Sequence, residues 1–317
     1  MKAIRIHEDG GPEVLRYEDA PDPEPKPGEV LISLRAVSLN HIDVWVRKGL
    51  PSVPKPRILG ADGAGIRRDS GEAVVINPGF EHGDRILVLG EHMDGTHAEL
   101  VAVPEPNVYP LPEGVSFEEA AAFPLVFETA YRMLVTKAGL KEGEWVLLWG
   151  IGSGVATAGL AIAKALGARA LVTSTSDEKL ERARGLGADV AVRSDDDVIA
   201  AVKEATGGAG VDVVLEHVGQ ATWERSLQAA RAAGRIAVCG ATSGRNPPAA
   251  LHRIWWKQLT IYGSTMGTKE DFEGAYELVK SGRARPVVDT VLPLEKARAG
   301  HERLEAGEQF GKIVFSV

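Results

Sequence analysis

Residues 145–180, WVLLWGIGSGVATAGLAIAKALGARALVTSTSDEKL, decide the fold. An apolar run, Trp145 to Trp149, stops at Gly150-Ile151-Gly152-Ser153-Gly154. An alanine-rich helical pattern follows to Leu166, and Gly167 holds the place of its C-terminal stop. A second apolar run, Ala170 to Thr173, ends in Ser174-Thr175-Ser176. Strand, tight turn, helix, strand is the unit that seats a pyrophosphate on a helix N-terminus, where unpaired backbone N–H groups and the helix dipole face the anion. The segment therefore predicts a dinucleotide site, with Gly152, Ser153, Gly154 and Val155 at the phosphates. A G-x-G-x-x-G string starting at Gly150 would need glycine at Val155; the local string is G-x-G-x-G-x-A, closing at Ala156. A tight turn without a ligand is the competing reading, and the strand that follows favours the nucleotide.

Working outward, the chain from Phe127 alternates strands and helices. Strands are expected at 145–149, 170–173, 190–192, 211–215, 235–238 and 259–262, and helices at 156–166, 177–185 and 222–232. That order predicts an α/β, doubly wound parallel sheet. The first third reads as β-rich: 2–6, 29–37, 73–76, 85–89 and 98–103 are short strand candidates between glycine and proline turns, the texture of a small barrel. Ser116 with Glu119 forms a capping-box signal for a helical stretch through Phe123. The tail carries an amphipathic helix at 272–281 and a closing strand at 312–317. The expected division is 1–123 for the β-rich domain, 124–263 for the nucleotide-binding domain and 264–317 for a return to the first.

The 317 residues have a formal net charge of -8, which points away from nucleic acid and anionic membranes. A single cysteine, Cys239, makes neither an internal disulfide nor a multi-cysteine metal cage. The N-terminus lacks an apolar signal core, and no run approaches the ~20 apolar residues of a membrane span. A soluble, cytoplasmic protein is the expectation.

The end of the second strand bears on cofactor choice. An NAD site places Asp or Glu there for the ribose 2′-OH, about 20 residues past the glycines. Here that position is Ser174, with Lys179 nearby and Arg193 after the third strand, while Asp177 and Glu178 read as the cap and first turn of the next helix. A small hydroxyl plus cations suits a 2′-phosphate, so NADPH (NADP) is the expected cofactor.

Together with these, Pro12-Glu13-Val14-Leu15, Leu39-Asn40-His41-Ile42-Asp43, Ile58 to Gly65, Gly83-Asp84-Arg85, Gly95 to Glu99, Ala120-Ala121-Ala122, Gly187-Ala188-Asp189 and Gly311-Lys312 resemble the medium-chain dehydrogenase/reductase superfamily over nearly the whole chain. The superfamily includes zinc alcohol dehydrogenases and zinc-free quinone oxidoreductases. The resemblance implies a chaperonin-10-like (GroES-like) β-barrel catalytic domain, split in sequence, beside a Rossmann domain, with substrate entering the cleft between them.

The departures point to the zinc-free branch. The resemblance aligns the catalytic-zinc ligand positions with Asn40, Ala61-Asp62 and Leu125; Asn40, Ala61 and Leu125 are not ordinary zinc ligands. Its hydroxyl relay aligns with Ile42 and Trp45, and the structural-zinc lobe, due between Pro78 and Gly90, has no cysteine. His82, Glu91, His92, His97 and Glu99 are a second cluster of ligand types, but no known ligand spacing joins them, so no metal is expected.

Without zinc, nothing lowers an alcohol's pKa, whereas an enone, quinone or enoyl thioester accepts hydride directly. Asn40 and His41 are the catalytic candidates: the Asn40 amide can polarise the carbonyl, and water or His41 can supply the proton. A turn or barrel-loop residue bonded to backbone is the competing reading of Asn40. For the nucleotide, the resemblance adds Asn40, Thr129 (opening the helix into the second domain), His217, Val218, Gly240, Ser264 and Met266. Met266 alternatively belongs to the core. Trp255-Trp256 precedes the final sheet strand, through which the family often dimerises, so a homodimer is expected. The function implied is a zinc-independent, NADPH-dependent reductase of quinones or activated double bonds. Two rivals stay open: a zinc-type alcohol dehydrogenase with atypical ligands, and a non-catalytic NADPH-sensing protein.

Overall fold

The computed structural model describes residues 1–83 and 85–317; Asp84, part of the Gly83-Asp84-Arg85 match, lies outside the described residues. Contacts divide the chain into two units. One comprises 1–126, 268–272 and 286–317, and the other 127–267 and 273–285. The expected tail segment 264–317 is thus shared between the two.

In the first unit the long strand Glu29–Ser38 alternates buried and half-buried residues over most of its length, as a period-2 apolar pattern requires. It pairs antiparallel with Leu100–Pro104, with Asp62–Arg67 and with the closing strand Lys312–Ser316. Two registers position the site: Ser38 faces Asp62 in one ladder and Val314 in the other. The next rung follows, with Leu39 N donating to Ile313 O at 3.0 Å. This brings Asn40 opposite Lys312. Ile32, Val37, Val103, Ile313 and Phe315 fill the core around these strands. The capping box forms at Ser116: its Oγ accepts from Glu119 N, and Glu119 Oε2 accepts from Ser116 N, each at 3.2 Å, at the head of helix Phe117–Ala122. The stretch where a structural-zinc lobe was sought contains two paired strands, Gly79–His82 and Arg85–Val88.

The second unit is the expected parallel sheet. Its strands run in the order Val190–Arg193, Arg169–Ser174, Trp145–Leu148, Val211–Glu216, Ala230–Val238, Thr260–Gly263. Trp145–Leu148 is buried throughout, which is why it reads as a continuous apolar run rather than an alternating one. Helix Gly154–Ala165 packs small residues against the sheet: a Cβ on Gly159 would sit 2.9 Å from Leu215 and 3.2 Å from Leu148.

Two expected elements shift, each for a visible reason. The helix expected at 222–232 spans only Trp223–Ala229, and the strand begins at Ala230. Lys257 Nζ donates to the carbonyls of Leu227, Gln228 and Ala230 at 3.0, 2.8 and 2.6 Å, so a distant ammonium ends a helix that alanine propensity would continue. The tail helix starts at Lys269 rather than Phe272, because Thr268 and Asp271 cap it reciprocally. No helix among the described residues is long and apolar enough to cross a membrane.

Leu147 is fully buried in the sheet and Leu186 is 43% exposed. Leu147→Ala should cost about 2–5 kcal/mol of stability by leaving a cavity, and Leu186→Ala within about 0.5 kcal/mol. Chemical denaturation of the two variants checks this; equal losses would contradict the placement of the core.

Candidate active site and nucleotide site

In the first unit a buried polar cluster gathers at the end of the long strand. Asn40 precedes the short helix His41–Arg47, and its backbone N–H donates to Asp43 Oδ2 at 2.8 Å. Asp43 Oδ1 accepts from Gly60 N at 3.0 Å. Asp62 is fully buried. Its Oδ1 accepts from Leu125 N at 2.9 Å. Its Oδ2 accepts from Ser38 Oγ at 3.0 Å, Asn40 Nδ2 at 2.9 Å and Lys312 Nζ at 3.0 Å. Lys312 Nζ also donates to Asn40 Oδ1.

These partners fix the amide's orientation. An ammonium only donates and an ionised carboxylate only accepts, so Oδ1 must face Lys312 and Nδ2 must face Asp62. Asn40 is therefore a side-chain bridge between two opposite charges, a role different from the backbone-bonded turn residue. Lys312 stands in the family-like Gly311-Lys312 pair, yet reasoning from sequence gave it no role. The available signal was a lysine opening an otherwise buried strand, Lys312–Ser316.

Burial pushes the Asp43 carboxyl up to about 7, against the pull of its Asn40 and Gly60 N–H donors. His97 is fully buried; burial pushes it down to about 4, so it is neutral, with Nε2 3.3 Å from Ser38 O. His41 is half-buried, with its ring centroid 6.3 Å from that of Trp45.

The positions where a zinc dehydrogenase would hold its catalytic metal do not fit one. Ala61 and Leu125 offer no donor side chain, and the Asn40 and Asp62 oxygens already hold the Lys312 ammonium. His92 Nδ1 accepts from Val88 N at 3.1 Å, and Glu99 Oε2 accepts from Lys2 N at 2.7 Å. Among the described residues, no three His, Cys, Asp or Glu side chains form a group able to hold a metal.

In the second unit the glycine turn is built as a phosphate cradle requires. Gly150 and Gly152 have φ of 60° and 115°, backbone that a residue with a Cβ adopts only under strain. Ser153 is the N-cap of helix Gly154–Ala165, its Oγ accepting from Ala156 N at 3.2 Å. Gly154 and Val155 open that helix. His217 Nε2 donates to Trp149 O at 2.8 Å and lies 3.3 Å from Ser153 Oγ; burial holds the ring below its ordinary pKa, hence neutral.

The loop carrying His217 and Val218 is anchored by Glu216, which is fully buried. Its carboxylate accepts from Val218 N, Gly219 N, Thr222 Oγ1 and Ser226 Oγ at 2.8, 2.9, 2.8 and 2.5 Å. Ser226 in turn accepts from Trp149 Nε1 at 2.7 Å, tying this loop to the end of the glycine-turn strand. Sequence reading passed over this anchor. Gly240 lies behind the loop, where a Cβ would sit 3.1 Å from His217 O.

Ser174 ends its strand, pairs in the ladder with Arg193, and accepts from Ser176 N at 3.1 Å. Arg193 is held by carboxylates, with Nε and Nη2 on Asp195 at 2.9 Å each and Nη1 on Asp177 at 3.1 Å. Lys179 lies in the first turn of helix Asp177–Gly185. Thr129 is buried late in helix Pro124–Tyr131 and does not open it, correcting that expectation. Ser264 Oγ is buried without a hydrogen-bond partner among the described residues, and Met266 is buried with φ of 51°. A buried orphan hydroxyl and a non-glycine residue at positive φ are features that accompany ligand sites.

Both halves of the chain match known families. Residues 26–113 match the alcohol dehydrogenase GroES-like domain, and residues 154–281 match the zinc-binding dehydrogenase family. The quinone oxidoreductase of Rattus norvegicus is 32% identical over 99% of this chain and 97% of its own length. The chain is a quinone-oxidoreductase-like medium-chain dehydrogenase/reductase. As such it is an oxidoreductase with a Rossmann sheet and a GroES-like domain. The acryloyl-coenzyme A reductase of Metallosphaera sedula is 30% identical, with all of both chains covered. The crystal structure of an NAD-dependent alcohol dehydrogenase superposes with a TM-score of 0.96 at 44% identity over all of both chains. A mycobacterial protein solved with NADPH superposes with a TM-score of 0.87 at 29% identity over all of both chains; NADPH thus occurs among relatives of this fold.

Asp43 yields a pH test. Its folded-state value, about 7, lies above the ordinary 3.8, so its stabilisation is full below about 3.8 and is lost as pH rises through about 7. Asp43→Asn removes this dependence and spoils one backbone acceptor. The variant should be less stable by roughly 1–3 kcal/mol at about pH 8, and the gap should widen at about pH 5. Denaturant titrations at the two pH values check it; a gap that narrows in acid would contradict the assignment.

Proposed function

We propose that this chain is a zinc-independent, NADPH-preferring reductase. It delivers hydride to the electron-poor carbon of a quinone or an α,β-unsaturated carbonyl, including enoyl thioesters. The observation that carries this reading is that Ala61 and Leu125, at positions the resemblance aligns with a zinc dehydrogenase's ligands, offer no donor side chain. The names of the quinone oxidoreductase and acryloyl-coenzyme A reductase relatives support the substrate class.

A bound reduced nicotinamide supplies the hydride. The cradle of Gly152, Ser153, Gly154 and Val155 would bind the pyrophosphate through backbone N–H groups. Ser264 would give its unpaired hydroxyl to the cofactor, and Thr129, His217, Val218, Gly240 and Met266 would line its site. Asn40 uses one Nδ2 hydrogen on Asp62 and would direct the other at the substrate carbonyl oxygen, which gains charge as the double bond takes up hydride. Water or His41 would protonate the carbon adjacent to the carbonyl of an enone or enoyl thioester, or the oxygen of a reduced quinone. None of these groups lowers the pKa of a simple alcohol, which is why the unsaturated substrate is favoured.

Ser174, Lys179 and Arg193 support the NADPH preference. A preference for NADH is the second reading. It is favoured by the two carboxylates already on Arg193 and by the 44% identical NAD-dependent alcohol dehydrogenase. Nucleotide fluorescence titrations separate the two. We expect tighter NADPH binding, a ratio cut about tenfold or more in Arg193→Ala, and a raised ratio in Asp195→Asn. Equal or tighter NADH binding would sink the preference. Trp255 and Trp256, exposed by 64% and 76%, support a homodimer, checked by sedimentation of Trp256→Glu against wild type.

The reaction is tested by mixing the full-length protein with NADPH and a panel of enones, quinones and enoyl thioesters. Nucleotide oxidation with a saturated or quinol product is expected, and Asn40→Ala should lower kcat about 10²–10³-fold. Tight NADPH binding with no turnover would favour a sensor. Alcohol oxidation that requires stoichiometric zinc would favour the zinc-type dehydrogenase.

A further inference from the structure

The loop after the last strand of the second unit is pinned at both ends. Ser264 N donates to Val238 O at 2.9 Å, which extends the pairing with Ala230–Val238 one residue past Thr260–Gly263. Gly267 N donates to Glu128 Oε1 at 2.9 Å. Between the two pins stand the buried Ser264 hydroxyl, without a hydrogen-bond partner among the described residues, and Met266, held at φ of 51°. A non-glycine residue keeps a positive φ only where its surroundings over-determine it. Glu128 is fully buried in helix Pro124–Tyr131, next to Thr129 and 139 residues away in sequence from the glycine it holds. Burying a carboxyl is costly, and a helix position turned to the core is ordinarily filled by an apolar side chain.

The order of the sheet says which half of a bound dinucleotide would meet this loop. Trp145–Leu148 and its glycine turn stand at the centre. Arg169–Ser174 and Val190–Arg193 lie on one side, and Val211–Glu216, Ala230–Val238 and Thr260–Gly263 on the other. A dinucleotide lies across the carboxyl ends of such a sheet, with its pyrophosphate at the central turn and its adenosine ribose toward the end of the second strand, here Ser174. The nicotinamide half then runs the other way, past His217 and Gly240 toward Ser264. We propose that Glu128 is a positioning residue for the nicotinamide half of the cofactor: by accepting from Gly267 N it holds the Ser264–Gly267 loop in its binding shape. This role rests on the reading of the second unit as a dinucleotide site. The acceptor oxygen carries it, because a buried backbone N–H stripped of its acceptor is costly and the loop would rearrange to find another.

The test is calorimetric binding of NADPH and of 2′-phospho-ADP-ribose, the same nucleotide without its nicotinamide, to full-length wild type, Glu128→Met and Glu128→Gln. NADH and ADP-ribose serve as a second pair, so the outcome does not hang on which cofactor is preferred. Methionine keeps the length of the side chain and removes the acceptor, whereas glutamine keeps an acceptor oxygen. Glu128→Met should bind the whole cofactor about tenfold more weakly and the nicotinamide-free fragment as wild type does. Glu128→Gln should bind both as wild type does. An unchanged cofactor affinity in Glu128→Met, an equal loss for cofactor and fragment, or a Glu128→Gln as weak as Glu128→Met would each overturn the proposal. If Glu128→Met does not fold, Glu128→Asp, whose shorter stem withdraws the oxygen from Gly267, is read by the same outcomes. Binding requires no turnover, so failure of the reductase chemistry leaves the test intact. Wild type that binds cofactor and fragment while Glu128→Met matches it sinks this role alone; wild type that binds neither sinks the dinucleotide site and this role with it.

Discussion

One buried ion pair governs the first unit's polar centre. Lys312 and Asp62 are both withdrawn from water, and desolvating each ion costs several kcal/mol. That cost is offset only because every charge is answered: Asp62 accepts from Ser38, Asn40, Lys312 and the Leu125 backbone, and Lys312 donates to both Asp62 and Asn40. Removing one partner alone would leave an uncompensated buried charge, typically worth about 3–5 kcal/mol. The strands that bring these groups together, Glu29–Ser38, Asp62–Arg67 and Lys312–Ser316, come from distant parts of the sequence, so the pair also fixes their register.

The second unit is organised by a comparable device. Glu216 gathers two backbone N–H groups and two hydroxyls, and through Ser226 holds Trp149 at the end of the glycine-turn strand. This buried carboxylate holds the loop that carries His217 and Val218. The cradle glycines at 150 and 152 complete this arrangement by taking positive φ angles.

Much of this was legible in the sequence because it rests on local chemistry. Trp145–Leu148 announces itself as a strand buried on both faces, and the glycines after it as a turn with positive φ. Ser116 and Glu119 signal their cap at the right spacing. What was not legible depends on partners distant in the chain. The helix ending at Ala229 is stopped by Lys257, which no window around 222–232 contains. Asn40 looked like a carbonyl donor or a turn residue; that it bridges Lys312 and Asp62 follows from a strand pairing some 270 residues away in sequence. Thr129 was misplaced within its helix although Pro124, a residue suited to the first helical position, marks where Pro124–Tyr131 begins.

The central proposal is that hydride transfer to an electron-poor carbon proceeds here without a metal. The direct measurement is turnover of a cyclic enone with 4-deuterated NADPH by protein stripped of metal, with residual metal quantified in the same sample. The account predicts deuterium on the carbon β to the carbonyl and a rate unchanged by stripping or by added zinc. A rate that falls with the metal content and returns with stoichiometric zinc would contradict it.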